Sequence, residues 1–169
     1  MLEANADEVV VYQTVYSWRL AHHILEQDGR SPLGLGSLAC AMILRQSTKT
    51  LWTRRAETVA INPGRWTVSV NGGVHPDETV AEAVLRETTE ELGVRADQLV
   101  DLSLRALLLG PDPIGCLFVY GAGLRSNVDL HYDESETSAL CWAETPSDLK
   151  GPLVPFAAEI WRAGRMGLT

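Results

Sequence analysis

The segment Gly72 to Val94, GGVHPDETVAEAVLRETTEELGV, constrains this chain more than any other. It crowds Glu78, Glu82, Glu87, Glu90 and Glu91 around Arg86, with glycines at either end. Thr79-x-x-Glu82 has the spacing of a capping box, in which each side chain satisfies a free backbone N–H at a helix start, and Gly93 is a natural C-terminal stop. A helix from about Val80 to Leu92 follows. At 100° per residue, Ala81, Val84, Leu85, Thr88 and Leu92 share one narrow face, which is expected to be buried. Glu87, Glu90 and Glu91 then fall on the flank and far side. The Thr88 hydroxyl is expected to bond the carbonyl of Val84. Carboxylates crowded within one turn repel each other. They are relieved either by pairing of Arg86 with Glu82 and Glu90 at i,i+4 spacing on a solvated face, or by a hard divalent cation such as Mg²⁺ or Mn²⁺, which oxygen ligands suit.

The residues leading into the helix favour the second resolution. Trp66 to Val70 (WTVSV) reads as a strand, and Asn71-Gly72-Gly73 then predicts a turn with positive φ, able to aim backbone groups at a metal or a phosphate. Leu38 to Arg45 (LACAMILR) is a continuous apolar run, expected to be a strand buried on both faces. Thr50 to Arg54 is its expected neighbour across the turn Ser47-Thr48-Lys49. Arg54 and Arg55 stand side by side in an acidic chain, either as phosphate-neutralising groups or as a solvated strand end. Leu102 to Leu109 and Ile114 to Gly121 read as a hairpin through Gly110-Pro111-Asp112-Pro113. Ala139 to Ala143 reads as a strand, Pro146 to Leu149 as a short turn, and Phe156 to Arg165 as an amphipathic helix with Ile160 and Trp161 inward. Trp52, Trp66, Tyr120 and Tyr132 are each either core residues or platforms for a base. This order describes one α+β or α/β sandwich over residues 37–169.

Residues 1–36 form an arm of a different kind, with a β-rich stretch from Glu8 to Tyr16 and helical composition from Ser17 to Gln27. Packing onto the domain, or contact with a second copy in a homodimer, is expected of it. A net charge of −8 argues against a general nucleic-acid binder. It also requires that an anionic substrate be met by local basic groups, by metal, or by both. The 3 cysteines sit in apolar runs without metal-ligand spacing and read as reduced thiols of a cytoplasmic protein. No apolar run approaches the length of a membrane span.

The pattern Gly72-x5-Glu78-x7-Arg86-Glu87-Thr88-x-Glu90-Glu91-x-Gly93-Val94 resembles the Nudix box. Thr88 departs from it, standing where that family usually has an aliphatic residue. The resemblance implies an α/β/α sandwich with a mixed sheet, and a metal-dependent hydrolase that cleaves a diphosphate linkage in a nucleoside diphosphate derivative or a related small molecule. It further implies that Glu87, Glu90 and Glu91 hold Mg²⁺ or Mn²⁺ together with the backbone carbonyl of Asn71. Arg86 would orient Glu87 or Glu90, and Glu78 would brace the loop. A later loop glutamate completes the site or serves as base in many such enzymes. Glu136 best fits that placement, ahead of Glu134 and Asp133. Three other readings belong to the same resemblance, one of them a nucleic-acid decapping or coat-processing role, which the net charge of −8 disfavours. An isopentenyl diphosphate isomerase is similar around Arg65-Trp66-Thr67, but its catalytic cysteine is missing from the strand WTVSVN. An inactive nucleotide-binding module would not need the intact glutamate set.

Overall fold

The computed structural model describes residues 38–109 and 115–165. The expected arm therefore lies outside the described residues, as does the turn Gly110 to Pro113. Leu38–Gln46 (β1) is the strand that the apolar run predicts, and Cys40 through Leu44 are completely buried. It turns through Ser47 and Thr48 into β2, Lys49–Arg55. The expected strand from Trp66 is divided into β3 (Trp66–Val68) and β4 (Val70–Gly73). Helix α1 spans Val80–Leu92. Strands β5 (Leu99–Leu109) and β6 (Cys116–Leu124) pair antiparallel, as the hairpin reading requires. Strand β7 (Thr137–Ala143), a short 3₁₀ turn at Pro146–Asp148 and helix α2 (Ala157–Arg165) complete the described chain.

One mixed sheet joins these strands. β1 runs parallel to β6, from Leu38 beside Cys116 to Arg45 beside Gly123. Its other edge pairs antiparallel with β4, and then with β2 at the hairpin. β2 in turn lies between β7 and β3. The β3–β4 segment thus enters between β1 and β2 where they diverge. Ser69 sits at that fork: its hydroxyl accepts from the Leu44 N–H (2.8 Å) and donates to the Leu51 carbonyl (2.7 Å). A side chain there satisfies two backbone groups that the parting strands would leave unpaired in the interior.

Alternation along β1 fills both sides of the sheet. Cys40, Met42 and Leu44 pack with Val84 and Leu92 of α1, while Ala41 and Ile43 pack with Ala157 and Ile160 of α2. Each buried aliphatic side chain contributes on the order of 1.5–3 kcal/mol, and a central strand collects that from two layers. The result is the α/β/α sandwich. Trp52 and Trp66 belong to the α2-side core, so neither is a platform for a base. Trp161 is half-buried and donates its indole N–H to the Thr50 hydroxyl (3.1 Å).

Candidate active site

Helix α1 begins and ends as its sequence dictates. The Thr79 N–H donates to Glu82 Oε2 (2.8 Å), the Glu82 N–H donates to Thr79 Oγ1 (3.2 Å), and Gly93 closes the helix at φ 68°. The Thr88 hydroxyl bonds the Val84 carbonyl, as expected of a core-facing threonine. The buried side is nevertheless turned from the one the apolar stripe predicts. Ala83 is fully buried and Ala81 is not, and Glu87 and Glu91 are drawn partly inward rather than set on the far side. Glu90 stays outside, with its side chain 59% exposed.

Arg86 holds this arrangement together. It grips both oxygens of Glu78, through Nε (3.0 Å) and Nη2 (2.8 Å). The same guanidinium donates to Glu87 (2.8 Å), to Glu90 (3.0 Å) and to the Gly73 carbonyl (3.1 Å). The i,i+4 partner on the other side, Glu82, is instead engaged in the capping box. Arg86 pulls the Glu78 carboxyl down to about 2, and the Glu78 bond is the largest of the influences that raise the pKa of Arg86. Glu78 also accepts the His75 N–H (2.7 Å), so the loop before the helix is tied to the helix.

Gly72 supplies the closest approach. A Cβ there would overlap the Glu87 carboxylate. Neither Gly72 nor Gly73 has positive φ, and Asn71 lies in β4. The expected positive-φ turn is therefore a stretch of strand. Glycine is required at position 72 because a carboxylate rests on the backbone, not because the backbone turns left-handed.

Glu87, Glu90 and Glu91 form one wall of a cleft of about 270 Å³, and Asp133, Glu136 and Thr137 form the other. A narrow polar extension of about 30 Å³ runs from it between Thr53, Arg55, Thr67 and Asn71. Burial first, then the negative charges of Glu87 and Glu136, push the Glu91 carboxyl up to about 8, against the opposing charge of Arg55. Burial likewise raises Glu87, with Arg86 opposing. The opposite wall is held in place by its own backbone. The Glu136 and Thr137 N–H groups both donate to the Asp133 carbonyl (3.0 and 2.8 Å), and the Glu136 carbonyl accepts from Ala56 (2.8 Å).

The fold thus gathers Glu87, Glu90, Glu91 and Glu136 around one space, with Asp133 beside them and Glu134 outside the lining. Of the two arginines, Arg55 lines the extension. Arg54 instead holds the following loop, donating to the Gly64 carbonyl (3.0 Å) and to Glu57 (3.1 Å). The Asn71 amide donates to Thr67 Oγ1 (2.9 Å). Thr53 and Thr67, which line the extension, and Thr137, which lines both it and the cleft, were not singled out from sequence. Their signal was a hydroxyl at an inward strand position, where an aliphatic side chain is the usual choice.

Among the described residues, no three carboxylates or other ligating groups already converge as a finished metal shell. The donor set nonetheless fits a hard divalent cation. It is made of oxygens, and it carries more negative charge than Arg55 and Arg86 offset, an excess that adds to burial in raising Glu91.

A model of the NUDIX domain matches residues 35–163. The chain belongs to this family. Among curated relatives, an isopentenyl-diphosphate Delta-isomerase of Salmonella paratyphi B is 30% identical over 125 residues, covering 70% of this chain and 68% of that protein. The isomerase of the same name from Corynebacterium glutamicum strain R is 42% identical over 60 residues, covering 36% of this chain and 32% of that protein. An m7GpppN-mRNA hydrolase of Bos taurus is 44% identical over 69 residues, covering 40% of this chain and 22% of that protein. The chain therefore spans a third or less of these last two relatives. Solved structures agree in fold. A MutT NUDIX hydrolase from Burkholderia pseudomallei matches with TM-score 0.60 at 21% identity, over 76% of this chain and 97% of the other. A protein from Deinococcus radiodurans matches with TM-score 0.61 at 24% identity, over 75% and 82%.

Proposed function

We propose that this protein hydrolyses a diphosphate linkage in a nucleoside diphosphate derivative or a related small molecule, with Mg²⁺ or Mn²⁺ as cofactor. The observation that carries this reading is the assembly of Glu87, Glu90, Glu91 and Glu136 around one cleft. Glu87, Glu90 and Glu91 would hold the cation, with the Asn71 backbone beside them. A bound divalent cation neutralises phosphate oxygens and lowers the pKa of a bound water. Arg86 fixes the directions of Glu87 and Glu90, and Glu78 holds Arg86 in place. Arg55 is the cation nearest to hand for a phosphate entering the polar extension. Glu136 faces the helix from across the cleft, where a base can take a proton from water without leaving the metal ligands short.

A second reading is favoured by the named relatives: isomerisation of isopentenyl diphosphate. The strand before the box carries no cysteine, and the neighbouring thiol does not replace it. Cys40 is opposite Gly72 in the register but completely buried, with burial chiefly pushing its thiol up to about 12. A thiol so placed is a packing group.

The two readings separate in one assay. Purified protein is incubated with nucleoside triphosphates, nucleotide sugars, dinucleotides and prenyl diphosphates, with Mg²⁺ or Mn²⁺ and with EDTA. Metal-dependent release of phosphate or monophosphate that EDTA abolishes is the expected result. Conversion of isopentenyl diphosphate to its isomer, with no phosphate released from any compound, would transfer the assignment to the isomerase. Undiminished hydrolysis after exhaustive chelation would remove the metal from the mechanism.

A further inference from the structure

The two faces of the sheet are covered unequally. On one, α2 lies across β5 and β6. On the other, α1 packs mainly on β4 and β1, and the same two strands show an apolar surface. Leu104 lies opposite Tyr120, Leu107 opposite Phe118, and Leu109 opposite Cys116. Tyr120 packs into the α1-side core, so alternation places all three leucines on that side. They are 50%, 47% and 77% exposed. Ala81 and Leu85, on the flank of α1 away from Glu87 and Glu90, are only half-buried. Three neighbouring leucines on an outer strand form an exposed patch that needs a cover.

The dimensions of this bay indicate what covers it. Two strands span roughly 10 Å, which is about the diameter of one helix. The chain itself arrives at its mouth. Leu38, the first described residue, pairs with Cys116, which pairs with Leu109, the most exposed leucine of the patch. Upstream, Ser17 to Gln27 has helical composition, and Trp18, Ala21, Ile24 and Leu25 fall within about 120° of one another around a helix axis. The link Asp28 to Ser37 extends to roughly 33 Å, more than enough to lay that segment beside α1. A tethered segment acts at an effective concentration on the order of millimolar, which favours it over a second copy of the chain.

We propose that Ser17–Gln27 docks as a helix on the α1 side of β5 and β6, with Trp18, Ala21, Ile24 and Leu25 against Leu104, Leu107, Leu109 and Phe118, and so completes that layer within one chain. The test is hydrogen exchange on the full chain, read by mass spectrometry, with the molecular mass measured at several concentrations. Amides of residues 17–27 should be protected at least tenfold over free peptide in a monomer. Leu107→Asp and Ile24→Asp should each abolish that protection while amides of β1 and β6 stay slow. Should Leu107→Asp unfold the sheet, Ile24→Asp decides alone, because Ile24 lies outside the sheet. Free-peptide exchange of residues 17–27 in the unsubstituted chain would overturn the proposal. Protection insensitive to either folded variant would overturn it too, by placing the segment elsewhere. Protection that grows with concentration alongside a doubled mass would assign the bay to a second copy instead.

Discussion

The two faces of the sheet are built from the same strands and do different work. On β2, Trp52 points into the α2-side core, while Thr53 and Arg55 point into the cleft under α1. Each face also relies on a missing Cβ. Gly72 makes room for the Glu87 carboxylate, and Gly164 of α2 makes room for Ile43. The same atomic economy seats a charge on one side and a methyl-bearing side chain on the other. Fold and chemistry are therefore separable by face, and substitutions can be chosen to pull them apart.

The largest effect should come from the carboxylates. Glu91→Gln, or Glu90→Gln, is expected to lower kcat roughly a hundredfold or more, about 3 kcal/mol of barrier, with the melting temperature unchanged or raised as repulsion is relieved. Ile43→Ala on the opposite face should cost about 2–4 kcal/mol in stability and leave the turnover of the folded fraction intact. Equal losses of kcat in both folded variants would end the separation of faces. Next come the two glycines. Gly72→Ala must displace Glu87 and should slow turnover at least tenfold, whereas Gly164→Ala must displace Ile43 and should cost about 1–3 kcal/mol, read by denaturant titration, with little kinetic change.

Smaller effects sharpen the picture. Glu78 is held by Arg86 at about 2, below its ordinary value of 4.5. A depressed carboxyl gives stability that is present above its unfolded value and lost as pH falls through the window from about 4.5 to about 2. Glu78→Gln should therefore flatten the fall of the denaturation midpoint across that window. A fall as steep as in the unsubstituted protein would place the acid sensitivity elsewhere. Thr88→Val should change least: the rate near that of the parent, and stability within about 1 kcal/mol, because the Val84 carbonyl keeps its helical setting. Inactivity in Thr88→Val comparable to Glu90→Gln would mean that Thr88 does not simply face the core.

Much of this was legible in the residues. The capping box and Gly93 set the bounds of α1, and the unbroken apolar run made β1 a strand with two buried faces. The rotation of α1 was not legible. A helical wheel assigns polar side chains to the outside, and here Glu87 and Glu91 are partly buried because Gly72 and Arg86 receive the first and a polar crevice receives the second. Apart from Arg86 on α1 itself, the residues that receive them come from β2, β3, β4 and the stretch leading into β7, which no local period connects. The difference between Arg54 and Arg55 was hidden for a related reason. Adjacent residues on a strand point to opposite faces, so one lines the crevice while its neighbour holds Gly64 and Glu57.

The fork at Ser69 has a consequence for phase. Along an uninterrupted strand, Thr67 and Gly72 are an odd number of steps apart and would face opposite ways. Thr67 lines the crevice on the α1 side, and Gly72 meets Glu87 on that same side. Val68 sits in the α2-side core and Val70 in the α1-side core, so the alternation slips by one residue between them. Ser69 absorbs the slip, leaving the ladder while its hydroxyl bridges Leu44 and Leu51. One serine thus brings two half-strands into step: were Ser69 to take an ordinary place in the alternation, either the crevice or the seat of Glu87 would face the wrong layer, whereas deleting it would keep the phase and lose only the hydroxyl bridge between Leu44 and Leu51.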